Sequence, residues 1–338
     1  MSVCLQINLA PLDAPHAIHT VPHQMRVLGG QVDEVQFTLD LHHSEGSRYR
    51  TANFEEKLAA VRGLLDRVIS TSKHASVLEV DYAPPMMREV ADFFIKDKTI
   101  PMKAENGSPF YPYFYGLYRA KSDHVFHLDS DMLFGGGSQT WVAEAVQILS
   151  RRREIVACNP LSGPPTRDGR LKTQVGLREA ADPPAYRFNT LSTRLFMLDR
   201  RRFFQDNIKL SLCRPDPLRL ILSTLSNNPP YLAAEDTFSR FMKANGYYRL
   251  DFLGSGNGLW SLHPVYRSET FYKELPNLID RIERGDVPDE QRGDYNLNDS
   301  MIDWSDVRAR LTMRKRLAKH LTYATVGVAG RLRSLLGR

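Results

Sequence analysis

"HVFHLDSDMLFGGG" (residues 124–137) is the stretch from which the rest of the chain can be read. An apolar run ends in Asp129 and Asp131, one residue apart, and Gly135, Gly136 and Gly137 follow. Two carboxylates that close repel each other unless water solvates both or a cation lies between them. A D-x-D pair at a strand end can hold a hard divalent cation through oxygen ligands, together with a phosphate bound to the same ion. The glycines behind it are expected to let the backbone approach a ligand closely. The plainer reading makes both acids solvated turn formers.

Upstream, "VCLQINLA" (3–10) reads as a buried strand and "HAIHTVPHQMRVLGG" (16–30) as a helix closed by Gly29 and Gly30. A second strand is expected in "VDEVQFTLDLH" (32–42) and a third in "ASVLEVDYAPP" (75–85). Between them, Phe54, Leu58, Val61, Leu65 and Val68 recur at helical spacing. Helical stretches around 86–96 and 110–121 precede the fourth strand, "HVFHLDSD". Strands alternating with helices predict an α/β protein whose mainly parallel sheet is covered on both faces. Ligands bind such sheets at the carboxyl ends of the strands. Asp40, Asp81, Asp129 and Asp131 all fall at expected strand ends.

Downstream, "TWVAEAVQILSRRR" (140–153) reads as a helix and "EIVACNP" (154–160) as a strand. A loop rich in Pro, Gly and charge (160–187) leads to "RFNTLSTRLFMLDRRRFF" (187–204), a strand entering a helix. "AAEDTFSRFMKANGY" (233–247) is a helix that starts near Glu235 and Asp236 and stops at Gly246. "LDFLGSGNGLWSLHP" (250–264) runs from a strand into a Gly-rich loop ending at His263. Glu235 and Asp236 suit a helix start, where the dipole favours acids; the functional alternative makes one of them a general base toward a hydroxyl. A neutral His263 could ligate a metal, or it could be an ordinary loop residue. Tyr111, Tyr113, Tyr115 and Trp260 could stack on a base or sugar ring, although core packing accounts for most such residues.

Composition narrows the class. The chain of 338 residues is 42% hydrophobic and 10% aromatic, ordinary for a globular enzyme. Its net charge of +6 is concentrated in the tail. Residues 307–338 hold nine Lys or Arg and no acid, which leaves 36 basic against 39 acidic residues before them. Nucleic-acid enzymes spread positive charge over the working face, so no nucleic-acid partner is expected. Cys4, Cys158 and Cys213 are odd in number and scattered, which suits a reducing compartment. With no signal-like or membrane-spanning stretch, a cytoplasmic location is expected. In the tail, Leu317, Leu321, Ala324, Val328, Leu332 and Leu335 share a helical face, with Lys315, Arg316 and Lys319 elsewhere around it. Such a helix suits peripheral contact with an anionic membrane at the inner face of the cell membrane, where lipid-linked acceptors reside.

In order along the chain, "FYGLYRAKSDHVFHLDSDML" (114–133), the E-D pair at 235–236 and the His263 loop resemble the metal-dependent glycosyltransferases of the GT-A fold. The resemblance covers about residues 3–265 and implies a Rossmann-like GT-A fold with a mainly parallel central sheet, plus a C-terminal helical tail. It implies transfer of one hexosyl unit from a nucleotide-diphosphate donor, a UDP- or GDP-sugar, to a hydroxyl of a glycan, lipid-linked or small-molecule acceptor. Mn²⁺ or Mg²⁺ would be the cofactor. By family pattern Asp131 binds the metal, Asp129 the ribose or a metal-bound water, and His263 the metal or diphosphate. Asp236 would be the base, with Glu235 beside it contacting the acceptor. Asn8, Asp40 and Asp81 would contact the nucleoside. The implied organisation is a donor-binding half (1–135), an acceptor-binding and catalytic half (136–273), a linker or wrapping arm (274–306) and the basic amphipathic tail (307–338). The chain departs from the D-D-G-S stretch of many bacterial inverting members, its nearest counterparts being "TLDLHHSEG" and "EVDYAPP". It has no Q-x-x-R-W motif of processive synthases, which favours single transfer over polymer extrusion. Two rivals are an aspartate-nucleophile phosphatase, against which Leu133 stands where Thr or Val is usual, and a non-catalytic membrane-associated scaffold.

Overall fold

The structure is a computed structural model in which residues 1–43 and 53–310 are described. Strand β1 (Val3–Leu9) leads through helix α1 (Ala14–Leu28) to β2 (Glu34–Leu39), and α2 (Phe54–Thr71) leads to β3 (Ala75–Glu79). Helices α3 (Pro84–Phe94) and α4 (Tyr111–Arg119) precede β4 (His124–Asp129), and β5 (Leu133–Gly135) follows it directly. The second half contributes α5 (Trp141–Arg151), β6 (Ile155–Ser162), β7 (Leu177–Arg178), β8 (Ala185–Phe188), β9 (Leu195–Asp199) and the short α6 (Arg202–Gln205). It continues with α7 (Pro217–Leu225), α8 (Ala234–Asn245), β10 (Tyr248–Phe252), β11 (Trp260–Leu262), α9 (Glu269–Glu283) and α10 (Ser305–Arg310).

The sheet runs β3-β2-β1-β4-β9-β6-β10-β8-β7. Strands β3, β2, β1 and β4 are parallel neighbours, β9 inserts antiparallel between β4 and β6, and β10 resumes parallel to β6. This is the mixed α/β class with a mainly parallel central sheet that the alternating periodicities predict. One face of the sheet packs under α1, α2 and α5 and the other under α3, α4 and α8, so β1, β2 and β4 are buried on both sides, with Gln6, Gln36, Thr38 and His127 among the residues on the α4 side. Helix α4 sits close on the sheet because Gly116 has no side chain: a Cβ there would meet the Gln6 amide at 2.1 Å and Thr38 Oγ1 at 2.8 Å.

Three details differ from the sequence expectation. Residues 187–204 form two strands, β8 and β9, before a short helix, because Asn189 to Arg194 turn the chain back toward β4. Helix α7 lies in a stretch for which no element is expected. Residues 274–306, expected as a linker or wrapping arm, begin inside α9, which crosses the boundary placed at 273. Phe271, Leu275, Leu278, Ile279 and Ile282 bury one stripe of α9 in a third apolar cluster with Leu262, Trp260 and Trp304. The tail from 311 on lies outside the described residues.

Two of the glycines after the D-x-D pair serve packing. A Cβ on Gly135 would meet the Trp260 indole at 2.1 Å, and one on Gly136 would meet the Gly258 carbonyl oxygen at 2.4 Å. They let β5 lie against the Gly-rich loop that leads into β11.

Candidate active site

The parallel strands deliver their carboxyl ends to one edge. Asn8 on β1 is in register with Asp129 on β4, and Asp40 follows β2 with its N–H donating to the Leu9 carbonyl at 2.8 Å. Asn8, Asp40 and Asp129 line one cavity of about 130 Å³. Asp129 also lines an adjoining cavity of about 600 Å³, with Glu235, His263, Arg267, Arg194 and Tyr113. Asp129, Tyr113 and Arg267 are common walls of the two. Asp81 lines neither; its carboxylate is exposed and accepts the Ala83 N–H at 2.8 Å before α3. Asp236 shares the first turn of α8 with Glu235, but only Glu235 lines the larger cavity. Tyr111, Tyr115 and Trp260 are core, whereas Tyr113 reaches the cavity and donates its hydroxyl to Asp129 Oδ1 at 3.2 Å. His127 backs Tyr113 edge to face.

Asp131 is the buried member of the pair, with no exposed surface. Helix α1 holds the turn that carries it. Gln24 Nε2 donates to the carbonyls of Asp129, Ser130 and Met132 at 3.3, 3.0 and 2.9 Å. His16 Nε2 lies 3.0 Å from Ser130 Oγ, and His23 Nε2 accepts the Phe134 N–H at 2.9 Å. The polar residues of α1 thus satisfy a buried turn that would otherwise leave carbonyls unpaired.

His263 Nε2 stands 3.9 Å from Asp131 Oδ2. The ring stacks on Tyr295, and its Nδ1 lies 3.2 Å from Asn296 Oδ1. When Nδ1 carries the hydrogen and donates to Asn296, the Nε2 lone pair faces the carboxylate. Two acceptors then oppose each other, an arrangement that a cation between them stabilises. Here the cation beside Asp131 is the Arg267 guanidinium: its Nε donates to Oδ2 at 2.9 Å, and its Nη2 reaches the same oxygen. Asp131 Oδ1 is buried without a hydrogen-bond partner among the described residues.

The electrostatics follow. Burial pushes the Asp131 carboxyl up, but Arg267, with the His263 and His16 rings, holds it well below the usual carboxylate range. Burial lowers His263 against the pull of Asp131, and lowers His16 to about 4. Burial raises Asp13, a further wall of the smaller cavity, to about 7 against the pull of Arg267. Burial also raises Glu235, with Asp236 and Asp129 adding to the effect. A carboxyl of raised pKa at a cavity wall suits proton uptake.

Among the described residues, no group of three or more His, Cys, Asp or Glu side chains converges closely enough to hold a metal ion unaided. The donors that fit one are the unpartnered Asp131 oxygen and the His263 imidazole, so further ligands must come with the substrate or from water. Sequence patterns alone miss Arg267, Asp13, His16, Gln24 and Asn296. Arg267 is the one with an available signal, lying four residues after His263 in the same loop.

The chain matches no protein-family model and no curated protein. Among solved structures it is similar to GalNAc-T7 with UDP, GalNAc and Mn²⁺, at 14% identity and TM-score 0.47, covering 99% of this chain and 57% of that one. It is similar to TarS 1–349 of S. aureus in complex with UDP-GlcNAc, at 14% identity and TM-score 0.39, covering 82% and 65%. A third is the mannosyltransferase PcManGT from Pyrobaculum calidifontis in complex with GDP-Man and Mn²⁺, at 11% identity and TM-score 0.36, covering 100% and 88%. The chain spans less than two thirds of the length of the first two.

Proposed function

We propose that this chain is a metal-dependent glycosyltransferase of the GT-A type that moves one sugar from a UDP- or GDP-sugar to an acceptor hydroxyl. The carrying observation is that Asp131 and His263, far apart in sequence, face each other at 3.9 Å beside a cavity also walled by Asp129, Glu235, Arg194 and Arg267. Asn8 and Asp40 line the adjoining smaller cavity and would contact the nucleoside. The role given to Asp81 by family pattern is the least supported, because its exposed carboxylate accepts the Ala83 N–H just before α3 and lines neither cavity.

Asp131 and His263 would hold Mn²⁺ or Mg²⁺, with Asp129 at the ribose or a metal-bound water. That ion would supply Lewis-acid stabilisation of charge on the departing diphosphate. Arg194 and Arg267 add fixed positive charge on the same cavity wall. The acceptor oxygen attacks the anomeric carbon, the bond from that carbon to the diphosphate oxygen breaks, and the hydroxyl proton passes to a carboxylate at the start of α8. Glu235 is favoured as that base because it reaches the cavity, with Asp236 next to it supporting its raised pKa. Direct displacement of this kind inverts the anomeric centre. Against the phosphatase alternative, Leu133 stands where Thr or Val is usual.

Isothermal titration of the full chain with UDP and GDP, with and without Mn²⁺, tests the reading. Metal-dependent nucleotide binding is expected. Phosphate release from simple esters without nucleotide binding would replace it with the phosphatase, and neither activity would leave a scaffold.

A further inference from the structure

Helix α7 is built inside out. Its spacing i, i+3, i+4, i+7 aligns Leu218, Ile221, Leu222 and Leu225 in one stripe, and these are 67%, 57%, 51% and 42% exposed. The residue it buries is Ser223, whose hydroxyl turns back to the Leu220 carbonyl at 2.8 Å. Single exposed apolar residues are common on protein surfaces; four on one helical stripe mark an interaction face.

The helix is tied to chain segments that run into the walls of the larger cavity. Asp216 caps the helix, accepting the Arg219 N–H at 3.0 Å. Arg219 forms an ion pair with the buried Glu105. Asn228 Nδ2 donates to the Glu105 carbonyl at 3.1 Å, and the Glu105 N–H donates to the Tyr231 carbonyl at 2.6 Å. The segment so clamped continues into Asn106, Ser108 and Pro109, and the other side into Ala233, Ala234 and Glu235, all cavity walls.

The described residues also end close to this cavity. Val307 on α10 lines the cavity, and Asp306 Oδ2 accepts the Thr270 hydroxyl at 3.2 Å. Beyond Arg310 remain 28 residues with seven Lys or Arg and no acid. An exposed apolar stripe and a purely basic stretch of sequence are complementary to a single kind of partner surface, apolar beneath and negative above.

We infer that α7 inserts its Leu218–Leu225 stripe into an anionic lipid bilayer, toward which the seven Lys and Arg residues after Arg310 add electrostatic attraction. Docked in this way, the mouth of the larger cavity lies against the bilayer. The acceptor is then a hydroxyl on a lipid-linked molecule; this last point rests on the transferase reading, whereas the docking does not.

The test is co-flotation of the full chain with phosphatidylcholine vesicles, with and without added phosphatidylglycerol. Wild type floats with the anionic vesicles and loses most of that binding in high salt. A full-length variant with Leu218→Ser, Ile221→Ser, Leu222→Ser and Leu225→Ser binds them at least about tenfold more weakly, while UDP or GDP binding is unchanged. All four positions are exposed, so unchanged thermal unfolding of the variant checks the fold. Flotation equal to wild type overturns the inference. So does a wild type that ignores vesicles but self-associates through the stripe, with the serine variant monomeric. Absence of nucleotide binding sinks the transferase reading and leaves the flotation result standing.

Discussion

The Arg267 guanidinium rests on Asp131 Oδ2, the oxygen that His263 Nε2 faces from 3.9 Å. The arginine side chain is 44% exposed whereas the carboxylate is fully buried. A partly exposed arginine from the loop before α9 therefore covers the buried carboxylate, and among the described residues Asp131 Oδ1 stays unpartnered beneath it.

Replacing Arg267 with Ala removes a competitor for Asp131. Mn²⁺ alone then binds more tightly, by about tenfold on removal of a close like charge, as titration calorimetry without nucleotide would read. Nucleotide affinity moves the other way, since a positive wall of both cavities is lost. Effects of the same sign on both ligands would refute this double role.

Asp131→Ala should abolish metal-dependent turnover, a loss of about 10³-fold or more for several kcal/mol of Lewis-acid help. Circular dichroism and unfolding should show the fold retained. Turnover that stays metal-dependent in this variant would remove Asp131 from the site.

Glu235→Gln and Asp236→Asn separate the two candidates for the base. The Glu235 change lowers turnover by about 10² to 10⁴-fold and spares donor affinity. The Asp236 change has the smaller effect on turnover, because Asp236 does not line the cavity. A reversed order, read from initial rates with matched nucleotide titrations, would return the role to Asp236.

Gln24→Leu strips the amide from the buried Ser130 and Met132 carbonyls of the 129–132 turn. Unsatisfied buried groups cost roughly 1–3 kcal/mol, read as a lower urea midpoint with an unchanged slope. Metal binding weakens as well, because the turn no longer fixes Asp131. Loss of stability with intact metal binding would show that α1 supports only the fold.

The pH dependence of stability carries a term from Glu283. Its carboxylate accepts from His23 Nδ1 at 2.6 Å and from Arg26 Nη2 at 2.7 Å, joining α9 to α1. These bonds, the His23 bond foremost, lower its pKa from 4.5 to about 2. A depressed acid contributes stability above its unfolded pKa and loses it as protons bind the folded state. Stability should thus fall as pH drops from about 4.5 toward 2, and Glu283→Gln should flatten that part of the curve. A Gln variant with the wild-type slope across this window would exclude the contribution.

By itself the sequence determined the alternation of strands and helices, and with it the sheet edge where Asn8, Asp40 and Asp129 meet. Period-2 and period-3.6 apolar patterns record local backbone geometry, and parallel strands necessarily present their carboxyl ends together. The D-x-D pair was legible for the same reason, though which acid is buried was not. Only the tertiary structure decided that α1 seals the turn over Asp131, that Asn296 orients His263, and that Arg267 supplies the local cation. It also placed Glu235 rather than Asp236 at the cavity wall and turned the apolar face of α7 outward. These relations join residues 33 to 136 positions apart, or fix which side of a helix meets the core. Burial and charge pairing depend on distance in space, which spacing along the chain does not encode.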